Sequence, residues 1–406
     1  MYFDFAWRYF RAKKSANAIN IIAWVTTGVI AFATCCQVLV LSVFNGFEDL
    51  VKSLYSTFYA DIKVIPAKGK TFMLTPAQLS MVNAQPFVRR SSLIAEERAL
   101  LQNGDAQSVV MLKGVDDNYQ NVSGVAGKII RGKFLTGTAD EPRIVIGTGI
   151  QNATDIIINE AFAPDPVTVI LPKKNSSSND PLESISQGNV VASGVFSIQQ
   201  DFDNLYALTN LDFVKQQMAF SADEYTGLEI RLKNKADIDK SRAAIASFLG
   251  TGYVVQTKYE QNTNLYNTMK MEKWVIYAVF TLILIISAFT MISALTMLVL
   301  EKKQDIAILQ SMGCTRGTIK KIFLSEGLLL GGIGAASGIL LAVIICLLQL
   351  KFKLIKLQGG SFLIDYFPVK LIPSDFLLIT TTAMCIAFVA SWFPAYKASR
   401  QPLELR

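Results

Sequence analysis

Four apolar stretches constrain this chain more than anything else in it: Ile19 to Phe44, Trp274 to Leu300, Ile322 to Leu348 and Phe376 to Phe393. A helix crosses the hydrocarbon of a bilayer in roughly 20 residues. Backbone polar groups find no water there, so a stretch of this length and character is stable only as a helix that satisfies its own hydrogen bonds. Four transmembrane helices are therefore expected. The first stretch is too long for the core of a signal peptide and shows no small-residue cleavage site, so it is read as a retained span.

Composition agrees. Hydrophobic residues make up 51% of the chain and charged residues only 17%, which is more apolar than a soluble chain of this length would be. A net charge of +7 could suggest nucleic acid, but its distribution argues against that partner. Residues 46–271 carry 22 Lys and Arg against 24 Asp and Glu, so the remainder carries +9. Positive charge that hugs the spans is the mark of anionic lipid and of cytosolic loops. Histidine is absent, which removes histidine bases, Ser-His triads and histidine metal sites. Of the cysteines, Cys35, Cys36, Cys346 and Cys385 sit in apolar segments and Cys314 in a polar link, so neither a disulfide framework nor a metal cluster follows.

The expected fold class is thus a membrane protein of four transmembrane α-helices with a large external α+β domain between the first and second. In order, the chain reads as an interfacial elbow helix (1–17), span 1 (18–45), the soluble domain (46–271), span 2 (272–300), a cytosolic coupling helix (301–318), span 3 (319–349), an external loop (350–373), span 4 (374–394) and a cytosolic tail (395–406). The elbow alternates Phe3, Phe5, Trp7, Tyr9 and Phe10 with Arg8 and Arg11 before Lys13 and Lys14, which suits a membrane surface. Asn45-Gly46-Phe47 is read as the end of span 1, and Pro373 and Pro394 as the bounds of span 4. Both termini then fall on the cytosolic side, where Arg8, Lys302, Lys303, Arg316, Lys320, Lys321, Lys397 and Arg400 obey the positive-inside rule. Lys351, Lys353, Lys356 and Lys370 dissent, since they would lie outside. Span 3 holds two Gly-x-x-x-Gly pairs, Gly327/Gly331 and Gly334/Gly338, which predict close helix packing.

Within the domain, Asp61 to Ile65, Leu93 to Leu101, Gln107 to Val115, Arg143 to Ile146, Val167 to Leu171, Val190 to Phe196 and Leu228 to Leu232 read as strands. Asn103-Gly104 is a hairpin signal between the second and third. Thr75-Pro76 starts a helix to Asn83, while Phe213 to Met218 and Ile238 to Leu249 are helical in pattern. Pro172 to Pro181 is a polar, breaker-rich loop and should be exposed. Two phosphate-loop lookalikes fail. Val64 stands where the first glycine before Gly69-Lys70-Thr71 belongs, and Phe134 follows Gly132-Lys133 where a magnesium-binding hydroxyl is needed. Any ATP and magnesium are therefore expected on a partner chain.

The link between spans 2 and 3 is the natural contact. Ile306, Leu309 and Met312 recur at helical spacing, Glu301, Lys302, Lys303 and Asp305 are too costly for lipid, and Gly313 permits a left-handed C-terminal cap. Thr315 or Thr318 can then cap the next helix. Spacing alone leaves open whether this short helix rests on lipid or meets a partner.

Leu298-Val299-Leu300-Glu301-Lys302-Lys303-Gln304-Asp305-Ile306-Ala307-Ile308-Leu309-Gln310-Ser311-Met312-Gly313, with Glu272-Lys273-Trp274 before it, resembles the permease subunits of lipoprotein-releasing ABC transporters, the LolC/LolE family. The likeness extends to Asn45-Gly46-Phe47, Gly114-Val115-Asp116, Gly132-Lys133-Phe134-Leu135, Gln261-Asn262-Thr263-Asn264-Leu265, Ile322-Phe323-Leu324-Ser325-Glu326-Gly327 and the tail from Pro394 to Arg406. Tail and link are shared with the wider FtsX- and MacB-like permeases, and Ala163 to Pro166 departs from the family's Gly-Asp before a strand.

The resemblance implies a non-catalytic inner-membrane subunit that extracts lipoproteins and passes them to a periplasmic carrier. Implied partners are a cytosolic ABC ATPase dimer, which would hold ATP and magnesium, a second permease copy or paralogue, and membrane lipid. Asp305, Ile306, Leu309 and Gly313 would dock the ATPase. Val40, Val43, Phe44, Phe47, Leu265, Met269 and Ile276 would line the acyl-chain path, and Lys173, Lys174, Asn175, Ser178, Asp180 and Pro181 would engage the carrier. A division-type permease that transmits shape change to an external cell-wall enzyme, or an efflux permease, would share the link, the tail and the spans. The latter would usually carry its ATPase fused.

Overall fold

The computed structural model describes residues 17–158, 166–174, 184–233, 236–356 and 366–401. The expected elbow before Asn17, residues 175–183 of the polar loop and the tail beyond Gln401 lie outside the described residues. The chain divides into a helical unit, built from residues up to 50, from 267 to 356 and from 366 onward, and a domain of residues 51–266.

The first helix, α1, runs Asn17–Phe58. It does not end at Asn45-Gly46-Phe47. Gly46 stays helical and serves a close approach instead, since a Cβ there would lie 2.3 Å from the Pro368 carbonyl oxygen. The turns beyond Val51 are retained because Tyr55 and Phe58 are buried in the domain's own core.

The domain follows as β1 (Ile62–Pro66), β2 (Phe72–Met73), α2 (Pro76–Asn83), β3 (Val88–Asn103), β4 (Ala106–Val115), α3 (Tyr119–Val122), β5 (Ile129–Gly132), β6 (Arg143–Gly147), α4 (Thr148–Thr154), β7 (Pro166–Pro172), β8 (Ile185–Phe196), α5 (Gln200–Asp203), β9 (Tyr206–Asn210), α6 (Leu211–Gln217), β10 (Glu224–Tyr225), β11 (Gly227–Leu232), α7 (Ile238–Leu249) and β12 (Tyr253–Thr257). Thr75 closes a capping box with Gln78 ahead of α2, as a Thr-Pro start predicts. The β3–β4 hairpin pairs Asn103 with Ala106, so its central residues are Gly104 and Asp105. Only Gly104 of the two has positive φ, the pattern of a type II′ turn, which places the glycine one position earlier in the turn than Asn-Gly chemistry would.

Among the described residues ten strands form one sheet. Its pairings β3–β4, β4–β9, β9–β6, β6–β8, β8–β7 and β7–β3 close on themselves, so this part of the sheet curls into a barrel-like ring with no free edge. Leu101, Leu112, Ile146, Val169, Ala207 and Val214 fill it. A second core lies where β1, β11 and β12 meet α2 and α7, with Ile62, Val82, Ile230 and Ile245 at its centre.

The helical unit continues with α8 (Thr263–Glu301), α9 (Lys303–Ser311), α10 (Arg316–Phe352) and α11 (Pro373–Ser399). With α1, the three long ones are apolar and long enough to cross a membrane. The glycines of α10 divide by face. A Cβ at Gly327 or Gly331 would meet Ser391 at 2.3 Å or Ala387 at 2.4 Å on α11, whereas at Gly334 or Gly338 it would meet Ile30 at 2.9 Å or the Ala31 oxygen at 2.3 Å on α1. One helix thus carries two separate close-packing seams. Pro394, expected to end span 4, sits inside α11. Its missing N–H costs one helical bond, but Ala395 and Ala398 are fully buried against Leu298, Phe323 and their neighbours and hold the last turns in place.

Candidate functional site

The link between spans 2 and 3 is a helix between two tight turns. Leu309 and Gln310 accept from the Cys314 and Gly313 N–H groups at 2.9 and 3.0 Å, and Gly313 has φ +86°. This is the Schellman arrangement that glycine allows. Thr315, not Thr318, caps α10, accepting from the Thr318 N–H at 3.4 Å. Asp305 pairs with Lys302 at 2.9 Å, one turn back.

The four expected docking residues separate by face. Ile306 is 2% exposed and packs among Leu298, Ile319, Phe323 and Ala398 of the chain's own helices. Leu309 is half-buried and Gly313 exposed. The large apolar side chains that α9 and its cap leave open are Ile308 and Met312, 57% and 71% exposed. The helical spacing of Ile306, Leu309 and Met312 does not make one face: Ile306 holds the helix to the bundle while Met312 stays open. Ile308, across the helix from Ile306, was the signal missed.

The seven residues expected to line an acyl-chain path do not form one surface. Val40 is exposed. Val43, Phe44 and Phe47 are half-buried, and the Phe47 ring meets Phe367 edge to face at 5.7 Å. Ile276 packs against the cluster of Cys35, Val38 and Leu41, and Met269 is buried. Leu265 belongs to the domain, packed against the cluster that includes Phe58, Phe196 and Phe202. What sequence reasoning passed over are two exposed stripes at helical spacing: Val275, Val279, Leu282, Ile286 and Phe289 on α8, and Ile21, Val25 and Phe32 on α1. In a span where nearly every residue is apolar, periodicity carries no contrast, so such a face is visible only once packing is known.

In the domain, Lys173 and Lys174 stand where β7 leaves the ring. Lys174 pairs with Glu224, which also accepts from the Thr71 hydroxyl and the Ser221 N–H. Burial works to raise the Glu224 pKa, but these hydrogen bonds outweigh it and hold the carboxyl below its usual range. A groove of 430 Å³ opens here, with Pro172, Met218 and Phe220 on its apolar side and Lys70, Lys173 and Lys174 supplying charge. Asn175, Ser178, Asp180 and Pro181 lie outside the described residues.

The same domain buries a charge network. Lys113 and Glu229 are 1% and 0% exposed and meet at 2.6 Å, reaching over β3, while Lys63 and Glu96 meet at 2.7 Å beside them. The Lys113 ammonium also lies 5.1 Å from the Phe58 ring and 4.9 Å from the Tyr119 ring. Burial works to lower the Lys113 pKa, yet the carboxylates of Glu229 and Glu96 raise it well above the usual lysine value. Nothing in the sequence pattern singles out Lys113 from an ordinary strand lysine.

Comparison with known proteins gives matches to both halves. Residues 23–248, more than half the chain, match the MacB-like periplasmic core domain, and residues 277–403 match the FtsX-like permease C-terminal family. Among curated relatives, the lipoprotein-releasing system transmembrane protein LolC of Xylella fastidiosa (strain Temecula1) is 26% identical over 408 residues, covering 98% of this chain and 96% of that one. LolC of Neisseria meningitidis serogroup B is 26% identical over 421 residues, with the same coverage of each chain. LolE of Haemophilus influenzae is 23% identical over 417 residues, covering 99% of this chain and 98% of that one. The chain thus belongs to the proteins that carry a MacB-like periplasmic core domain, here between the first and second spans; its later spans match the FtsX-like permease C-terminal family, and along nearly its whole length it is similar to proteins named LolC and LolE.

Proposed function

We propose that this chain is a permease subunit of an ATP-driven ABC transporter that extracts lipoproteins from the inner membrane and hands them to a periplasmic carrier. The observation that carries this reading is similarity along 98% of the chain to a relative named for lipoprotein release, with spans, link and domain all included. A lipid anchor needs an apolar cleft open to the bilayer. Two copies of this chain, or this chain and a paralogue, form one by facing the exposed stripes of α1 and α8 toward each other, which four helices alone do not achieve. ATP and magnesium belong to the partner ATPase. It meets α9 through Asp305, Leu309, Gly313 and the exposed Ile308 and Met312, while Ile306 holds the helix in place. Both termini then lie in the cytosol. Lys173 and Lys174, with Asn175, Ser178, Asp180 and Pro181 after them, face the carrier.

Depletion of this chain in its own host tests the reading. Lipoproteins destined for the outer membrane should accumulate in the inner membrane. Normal delivery with failed division, or with accumulation of drugs, would replace release by mechanical signalling or by efflux.

A further inference from the structure

The turn after α10 is built as firmly as a cap. Gln349, 5% exposed, donates its side-chain amide to the main-chain oxygens of Ile355 at 3.0 Å and Phe367 at 3.2 Å, and its own oxygen accepts from the Ile355 N–H at 2.9 Å. The Phe367 N–H donates to Ile355 at 3.2 Å, and Lys356 and Tyr366 form an antiparallel bridge. Lys353 closes the helix at a left-handed φ of +50°, its N–H on the Gln349 oxygen at 2.8 Å. One buried amide therefore ties together the two described ends of the loop between spans 3 and 4.

This turn brings large apolar and cationic side chains together at the surface. Phe352, Leu354 and Ile355 are 58%, 67% and 58% exposed. Lys351, Lys353 and Lys356 are exposed between and beside them, and residues 349–356 and 366–372 hold no acidic side chain. Lys353 is steadied over the Tyr366 ring at 4.2 Å. Lys370, by contrast, is already paired with Asp49. By span count the turn lies on the side of the periplasmic domain, where lysines run against the usual charge bias. Large apolar groups interleaved with ammonium groups at the end of a span match the boundary between acyl chains and phosphates, the stems lying along the apolar layer and the charged ends reaching the headgroups.

We propose that Lys351 to Lys356 is a docking surface for anionic phospholipid in the leaflet facing the periplasmic domain. Phe352, Leu354 and Ile355 enter the acyl region, and the three ammonium groups take the phosphates. The surface requires no lipoprotein and stands apart from the reading of the chain as a releasing permease.

The test uses full-length protein in nanodiscs with a phosphatidylglycerol or phosphatidylcholine probe, each photoreactive at its headgroup, and labelled peptides mapped by mass spectrometry. The phosphatidylglycerol probe should label residues 350–356 several-fold more than the choline probe does. A lysine beside an anionic surface is worth roughly fivefold in binding. The triple variant Lys351→Gln, Lys353→Gln, Lys356→Gln should therefore lose at least tenfold of that labelling, and the triple arginine variant should keep it. Equal labelling by the two probes, or undiminished labelling of the glutamine variant, overturns the proposal. Displacement of the lipid by excess inorganic phosphate would also overturn it, in favour of a soluble-anion site.

Discussion

Lys273 and Asp375 meet across the periplasmic ends of the second and fourth spans, the ammonium 3.0 and 3.2 Å from the two carboxylate oxygens. Asn45 of the first span completes the cluster, donating to Asp375 at 2.7 Å and accepting from Lys273 at 2.9 Å. Three helices are stapled by three side chains far apart in sequence. Removing either charge leaves the other half-buried and short of a partner, so Asp375→Ala and Lys273→Met should each lower stability by about 2 kcal/mol, the upper part of the buried range being discounted for partial exposure. The double variant should lose less than the sum. Thermal unfolding of the detergent-solubilised protein measures this, and strictly additive losses would show that the two are uncoupled.

The two glycine seams of α10 predict a sharp contrast between neighbours. Gly338→Val forces a side chain into the Ala31 oxygen, whereas at Gly332 the nearest atom to an added Cβ is the Met384 sulfur at 3.7 Å. Overpacking of this kind costs about 1–3 kcal/mol, more when backbone must move. Gly338→Val should therefore cut the yield of folded protein while Gly332→Val is tolerated, as read by size-exclusion profile and melting temperature.

Within the domain, Lys113→Met should destabilise by about 3–5 kcal/mol, because it leaves Glu229 buried without its counter-charge. Replacing both, as Lys113→Met with Glu229→Leu, should recover much of the loss. Hydrogen exchange in β4 and β11 of the full-length protein measures both variants; a double variant as unstable as the single one would contradict a charge-pair origin.

Acid should weaken the junction around Glu224. Its carboxyl is held below its ordinary 4.5, so the folded state binds a proton less readily than the unfolded chain, and the stabilisation is present above that value. It is lost as pH falls through the depressed folded pKa. Asp203 has the opposite sign, since burial raises its carboxyl above 3.8 despite the bonds it accepts from Ile198, Ser197 and Thr148. Exchange protection of β10 should therefore fall as the pH is taken below 4.5 and through the depressed folded pKa, and the gap between native protein and Glu224→Gln should close over the same descent.

On α9, the proposed function requires that Met312→Asp and Leu309→Asp uncouple ATP hydrolysis by the proposed partner ATPase from transport while the permease stays folded, whereas Ile306→Asp should destabilise the bundle itself by about 3 kcal/mol or more. Co-purification with the ATPase, alongside melting temperature, separates the two outcomes. Retained co-purification in the Met312→Asp and Leu309→Asp variants would return the outer face of this helix to lipid.

The spans, the position of the soluble domain, the capping of α2 by Thr75 and the cap at Gly313 were all legible in the sequence, because each rests on local chemistry: hydrocarbon demands long apolar helices, and caps and turns depend on single residue types at fixed offsets. Packing decided the rest. Asn45-Gly46-Phe47 and Pro394 carry the letters of helix ends, yet the helices pass through them. A close approach to Pro368 explains the glycine, and buried alanines hold the turns past the proline. Ile306 and Ile308 are the same residue type two positions apart on one helix, one buried against Phe323 and the other open. The buried face is chosen by neighbours far away in sequence, and no local pattern records them. Likewise Lys113 and Glu229 are 116 residues apart, and only the order of strands in the ten-stranded sheet, with β3 between β4 and β11, brings the two charges together out of water.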